Sequence, residues 1–271
     1  MEMIVKQGRY LFAVSIAAFG IENLVCARSS DPFLPVIPWV PSHWWLAYLT
    51  GIALLAASVC ITANIRARVA AVLLGVLFLL CDLLLQIPRV AALPWDVGVR
   101  TGAFETLTMC ASALMLAGTL SAEGGSFGRW AGATNALIQS GRYLFAISAI
   151  VFGIDHYLVF GFIVSLVPSW IPGGGWFWAN FTAISFIAAG VSIAVRKMDR
   201  WASFMLGLMF LLWFLVLHAP RVASYPRVLN PNEWSSAFIA LGICGGSWIL
   251  AWSLLAKLPM KGRDVESSAV N

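Results

Sequence analysis

The sequence predicts an all-α membrane protein: eight transmembrane helices in two parallel-related four-helix bundles, with both termini in the cytoplasm. Three observations predict it. Hydrophobic residues make up 61% of the 271 and charged residues only 11%, against about 25% charged in an ordinary soluble domain. The chain repeats itself internally. Its basic residues fall mostly on one side of the apolar runs.

The repeat is direct. Residues 8–21, GRYLFAVSIAAFGI, recur as residues 141–154, GRYLFAISAIVFGI, at an offset of 133. Pro88-Arg89-Val90 matches Pro220-Arg221-Val222, Gly75 matches Gly207, and Pro38 and Pro41 match Pro168 and Pro172. Matches in this order over such a length mark a duplicated unit. The expected domains are a first repeat at 1–120, a Gly/Ser-rich cytoplasmic linker at 121–140, a second repeat at 141–257 and a polar tail at 258–271.

Each repeat holds four apolar runs, about 10–26, 44–63, 69–87 and 101–119, then 143–165, 176–195, 201–219 and 234–256. Crossing a bilayer core takes ~20 helical residues. Strands are excluded because the runs lack alternation and an open sheet edge is unsatisfied in lipid. Lys6 and Arg9 before the apolar Tyr10–Ile21 resemble a signal peptide, but the same pattern recurs mid-chain at Arg142–Ile154, so it reads as a retained helix. The loops 27–42 and 159–175 carry Pro and Trp, and Trp39, Trp44, Trp45, Trp170, Trp176 and Trp178 fit an aromatic interface belt. Twelve Lys and Arg residues fall on the side of the termini and five on the other (Arg28, Arg89, Arg100, Arg221, Arg227), which places the termini in the cytoplasm. An even number of spans per repeat makes the repeats parallel. Gly242 and Gly246 form a G-x-x-x-G on the last run, a weak association signal.

The net charge of +5 is dispersed between apolar runs, so nucleic acid is excluded as a partner. Membrane lipids and other membrane subunits are the expected partners. Cys26, Cys60, Cys81, Cys110 and Cys244 form no C-x-x-C and read as buried free thiols.

Ionisable groups inside spans are costly and point to function. Those of the first half are Glu22, Asp82 and Glu105, beside Asn23, Gln86 and Arg89. Those of the second are Asp155, His156, His218, Arg221 and Glu233. Helical rise carries both His to the outer ends of their helices, where Arg221 and Glu233 also fall. Glu22 aligns with Asp155, Arg89 with Arg221, Asn23 with His156 and Gln86 with His218. An amide imitates neutral imidazole in hydrogen bonding, but does not titrate near neutrality. The second half is therefore the candidate ligand site, and Glu22, Asn23, Gln86 and Arg89 its degenerate counterpart. The alternative is a purely structural set that ties helices together. Asp82 and Glu105 are replaced by Phe214 and Ile239 in the second half, and are expected to pair with Arg89 or Arg100. A metal or haem is disfavoured, since no ligand-like spacing falls within one helix.

The G-R-x-L-F start, the acid-His pair, the V-P-x-W-x-P loop, the His-x-Pro-Arg within Leu217–Arg221 and the Asn-Pro-Asn-Glu-Trp of 230–234 resemble DoxX-like integral membrane proteins, here as a fused pair. The first half departs at both His positions. The resemblance implies four-helix units, some of which are subunits of a thiosulfate–quinone oxidoreductase. The expected function is an accessory or anchoring subunit of a larger redox or respiratory complex in a bacterial inner membrane, with no confident catalytic residue. The alternatives are a quinone-binding oxidoreductase subunit, with quinone as ligand, and a small-molecule or lipid transporter.

Overall fold

The computed structural model describes residues 1–25, 44–120, 127–224 and 231–255. The loop 27–42, Cys26, Arg227 and the tail 258–271 lie outside the described residues. Among those described, the chain is 90% helical with no strand.

The long helices follow the apolar runs. They are α1 (Glu2–Val25), α2 (Trp44–Ala63), α3 (Ala67–Ala92) and α4 (Val97–Thr119) in the first half. The second half holds α5 (Phe127–Leu158), a short α6 (Phe160–Leu166), α7 (Gly174–Val195), α8 (Asp199–Ser224) and α9 (Pro231–Leu255). Seven of these are long and apolar enough to cross a bilayer, so the chain is a multi-pass membrane protein. Helix α4 is not among the seven although it has 23 residues. Arg100, Glu105 and four threonines dilute its apolarity. It tolerates them because it is walled by other helices, and because Thr106, Thr108 and Ser112 donate to carbonyls one turn back, Gly102, Phe104 and Thr108.

Two boundaries differ from expectation. The linker 121–140 is helical from Phe127 onward. Its Gly and Ser concentrate in 121–126, whereas 127–140 carries Ala131, Ala133, Ala136 and Leu137, all helix formers. The run 143–165 is not one span: the helix stops at Leu158, Val159 leaves helical geometry, and Tyr157 and Phe160 stack across the break at 6.2 Å.

The repeat is visible in backbone detail that apolarity does not encode. Helices α3 and α8 each widen into a π turn, at Asp82–Gln86 and Phe214–His218. Each π turn is followed by Pro88 or Pro220. A proline removes one donor and crowds the carbonyl four residues earlier, and a wider turn relieves both. The turn from α2 to α3 puts Asn64 and Arg66 at positive φ, and the turn from α7 to α8 does the same with Arg196 and Met198.

The two halves are not separate bundles. Helix α1 packs on α2 but also on α9 of the other half, and α5 packs on α7 but also on α4. The helices form a ring in chain order, closed by α9 against α1, with α4 and α9 meeting across its middle. Glycines permit the crossings: a Cβ on Gly8 would stand 2.7 Å from the Gly245 carbonyl oxygen, and one on Gly141 would stand 2.6 Å from that of Ala111. These are equivalent positions in the two halves. As the middle helix, α9 is 83% buried over its apolar window.

Candidate functional site

The ring has a near end, where α1 and α5 begin, and a far end, where they finish. At the near end, Arg9 and Arg142 do more than mark topology. Arg9 donates to Asn64 Oδ1 (3.1 Å) and the Thr62 carbonyl (3.2 Å). Arg142, 1% exposed, donates through Nε to the Ile193 carbonyl (2.9 Å) and through Nη2 to Asp199 (2.8 Å). Each arginine thus serves the carbonyl end of the neighbouring helix, where the backbone lacks donors.

At the far end the acids kept in both repeats are tied across the halves. Glu22 accepts from Ser235 of α9, and Asp155 accepts from Thr101 of α4 (2.8 Å). Thr101 and Ser235 are equivalent positions, by the same alignment that matches Glu105 with Ile239. Asp155 also binds Arg100, through Nε at 2.9 Å and through Nη2. It therefore orients no imidazole. The Arg221–Glu233 pair is likewise closed on itself at 2.6 Å. The amides of the first half are used by their neighbours: Asn23 donates to Thr50 (3.2 Å), and Gln86 to Thr106 (3.3 Å) and the Gly102 carbonyl (3.4 Å). Arg89 is exposed.

The expected pairing of Asp82 and Glu105 with Arg89 or Arg100 does not form. Asp82 is buried in the π turn of α3, with neither carboxylate oxygen hydrogen-bonded among the described residues. Arg100 faces the second half and is taken by Asp155.

His156 and His218 do converge. Both line a cavity of about 240 Å³ between α5, α6, α7, α8 and α9, closed on the remaining side by α4. Its polar lining is Thr101, Glu105, His156, Thr182, His218 and Ser236, set in an apolar wall that includes Phe152, Phe186 and Phe210. His156 Nδ1 lies 2.8 Å from the Phe152 carbonyl. A carbonyl only accepts, so the proton sits on Nδ1, and in a neutral ring Nε2 remains as an acceptor. The ring is held edge-on against Phe186 at 5.0 Å. Among the described residues His218 Nδ1 and Thr182 Oγ1 are buried without a hydrogen-bond partner, and Thr182 is only 6% exposed. Among the described residues Glu105 makes no hydrogen bond or ion pair.

Of the five expected ligand residues, then, His156 and His218 border the cavity, while Asp155, Arg221 and Glu233 are spent in ion pairs and are absent from its lining. Glu105 and Thr182 belong to the cavity and were not expected there. Glu105 was hidden by its place in the first half. The signal that could have found it was its alignment with Ile239, which puts α4 and α9 in equivalent places of the two repeats. Thr182, an ordinary hydroxyl in an apolar run, gave no signal.

The chemistry of this chamber is selective by charge. Among the described residues lining it, none is Lys or Arg, so a phosphate head would enter without compensation. It offers hydroxyl donors, imidazole and a carboxyl group, which suit a neutral ring bearing carbonyl or hydroxyl oxygens. No group of three or more His, Cys, Asp or Glu residues capable of holding a metal exists among the described residues. Compared with protein families, curated proteins and solved structures, the chain finds no match, and the site stands on its own geometry.

Proposed function

We propose that this chain is an eight-span integral membrane protein of a bacterial inner membrane, with both termini cytoplasmic, that binds a neutral quinone headgroup in its second half. It works as an accessory subunit of a larger redox membrane complex. Two buried polar atoms without a partner among the described residues, Thr182 Oγ1 and His218 Nδ1, on the lining of one cavity that also holds Glu105 and, among the described residues, no Lys or Arg, carry the binding reading. Buried polar groups are normally satisfied, and a ligand with two oxygens on an apolar ring would satisfy these. The volume supports a headgroup rather than a whole ligand, since pockets for drug-sized molecules run from ~300 Å³ upward. The resemblance to DoxX-like proteins, some of them subunits of a quinone-linked oxidoreductase, supports the same class and the subunit role. Binding needs no electron donor in this chain, so no catalytic residue is assigned.

The test is extraction of the tagged protein from its own membranes in mild detergent, with native mass spectrometry and quinone analysis. We expect one quinone per chain together with the mass of a partner subunit, and loss of the quinone in a His156→Ala, His218→Ala double variant that keeps its melting temperature. Unchanged quinone in that variant refutes the binding site, and a lone chain in every mild extract refutes the subunit role.

A further inference from the structure

A second cavity, of about 670 Å³, lies between α7 and α8 on the outside of the ring. Its wall is almost wholly apolar, and several of its residues are exposed, among them Phe181, Met205 and Leu212. It follows the two helices from Trp178 to Ser192, a length of ~21 Å at the rise of a helix. Two residues belong to both cavities. Trp178 and Trp213 line the apolar groove on one side and the polar chamber on the other. Their rings meet edge to face at 6.0 Å and 89°, and Trp178 is anchored by donating from Nε1 to the Pro172 carbonyl at 2.7 Å.

Resting on the headgroup reading above, we infer that the quinone reaches the chamber sideways from the lipid and leaves its single isoprenoid tail in the α7–α8 groove, with the Trp178–Trp213 pair as the threshold between ring and tail. The occupant follows from continuity and charge. One elongated groove accepts one chain, whereas a diacyl lipid brings two. The groove adjoins, across Trp178 and Trp213, a chamber with no Lys or Arg among its described lining residues, which disfavours a phosphate head. A chamber of about 240 Å³ holds the ring and excludes the tail, so the tail needs the adjoining groove.

The tail gains little affinity, because the surrounding lipid is as apolar as the groove. The test must therefore read position. The full-length protein is reconstituted in liposomes with a benzoquinone carrying a diazirine on its isoprenoid tail, illuminated, and mapped by mass spectrometry. In parallel, tail-less dimethoxy-methyl benzoquinone is measured by equilibrium dialysis. We expect labels on α7 and α8 groove residues such as Ala188 and Met205, suppressed by excess unlabelled long-tailed quinone. Ala188 is exposed, so Ala188→Trp fills the groove without entering the core. In that variant groove labelling falls about tenfold, while binding of the tail-less ring is unchanged. Labels on the groove no denser than on the exposed Leu49 and Leu73 of the first half, with tail-less binding intact, overturn the groove and spare the chamber. Absence of tail-less binding in the wild type overturns the headgroup reading itself.

Discussion

A histidine and an amide differ here in what their neighbours demand of them. Gln86 and His218 end equivalent π turns of α3 and α8, yet Gln86 spends its Nε2 on Thr106 and Gly102, while His218 Nδ1 has no partner among the described residues. The acids divide in the same way. Asp155, with its side chain 4% exposed, is bound by Arg100 and Thr101, whereas Glu105 and Asp82 have no partner among the described residues. Breaking a buried pair from one side leaves an uncompensated charge, at a cost of about 3–5 kcal/mol, while replacing both partners with apolar groups is often neutral. Asp155→Leu alone should therefore lower the melting temperature of the detergent-solubilised protein sharply, and the Arg100→Met, Asp155→Leu double variant should recover most of the loss. A double variant as unstable as the sum of the two singles would show that the pair is not coupled. The acid-His dipeptide was legible as polar and terminal. Its division of labour was not, because Asp155 finds its partner on a different helix, which no local pattern announces.

At the scale of the element, helix crossings depend on what is missing from certain positions. A methyl group on Gly141 meets backbone at 2.6 Å, the Ala111 carbonyl oxygen, which has no rotamer by which to yield. Gly141→Ala should destabilise by about 1–3 kcal/mol, the usual range for overpacking. Gly161→Ala, with nothing within 4 Å of the added Cβ, serves as a control and should leave stability unchanged. Equal melting temperatures for the two variants would argue that α4 and α5 do not pack this closely. Seven long helices were readable from apolarity, since length and hydropathy decide whether a helix is fit to span. The π turns were not, although Pro88 and Pro220 mark where an ordinary turn becomes strained. Helix α4 shows the converse: its threonines lower its apolarity, and neighbouring helices surround it.

At the scale of the whole molecule, the division into repeats at 1–120 and 141–257 describes the sequence better than the packing. The duplication was plain in GRYLF, but the motif's glycine faces the other half, so the boundary drawn in sequence cuts through the contacts α1–α9 and α4–α5. Run lengths say how many helices there are. They are silent on which faces meet, and that is decided by small residues spaced far apart in the chain. Two fragments, residues 1–125 and 126–271, each expressed alone should be unstable in membranes, because each lacks the partner for its own first helix. Co-expressed, they should copurify through a tag on either one. A first fragment that is stable and monodisperse by itself would contradict the crossed arrangement.

The crossed packing also bears on how one half came to differ from the other. A single unit with these contacts would pack its first helix on its own neighbour and on the last helix of a second copy, which makes a symmetric pair. In such a pair every change is made twice, and both units must remain alike. Joining the copies through the helical stretch before Arg142 removes that constraint. One half is then free to hold imidazoles, while the equivalent positions of the other, Asn23 and Gln86, are bonded to Thr50 and Thr106.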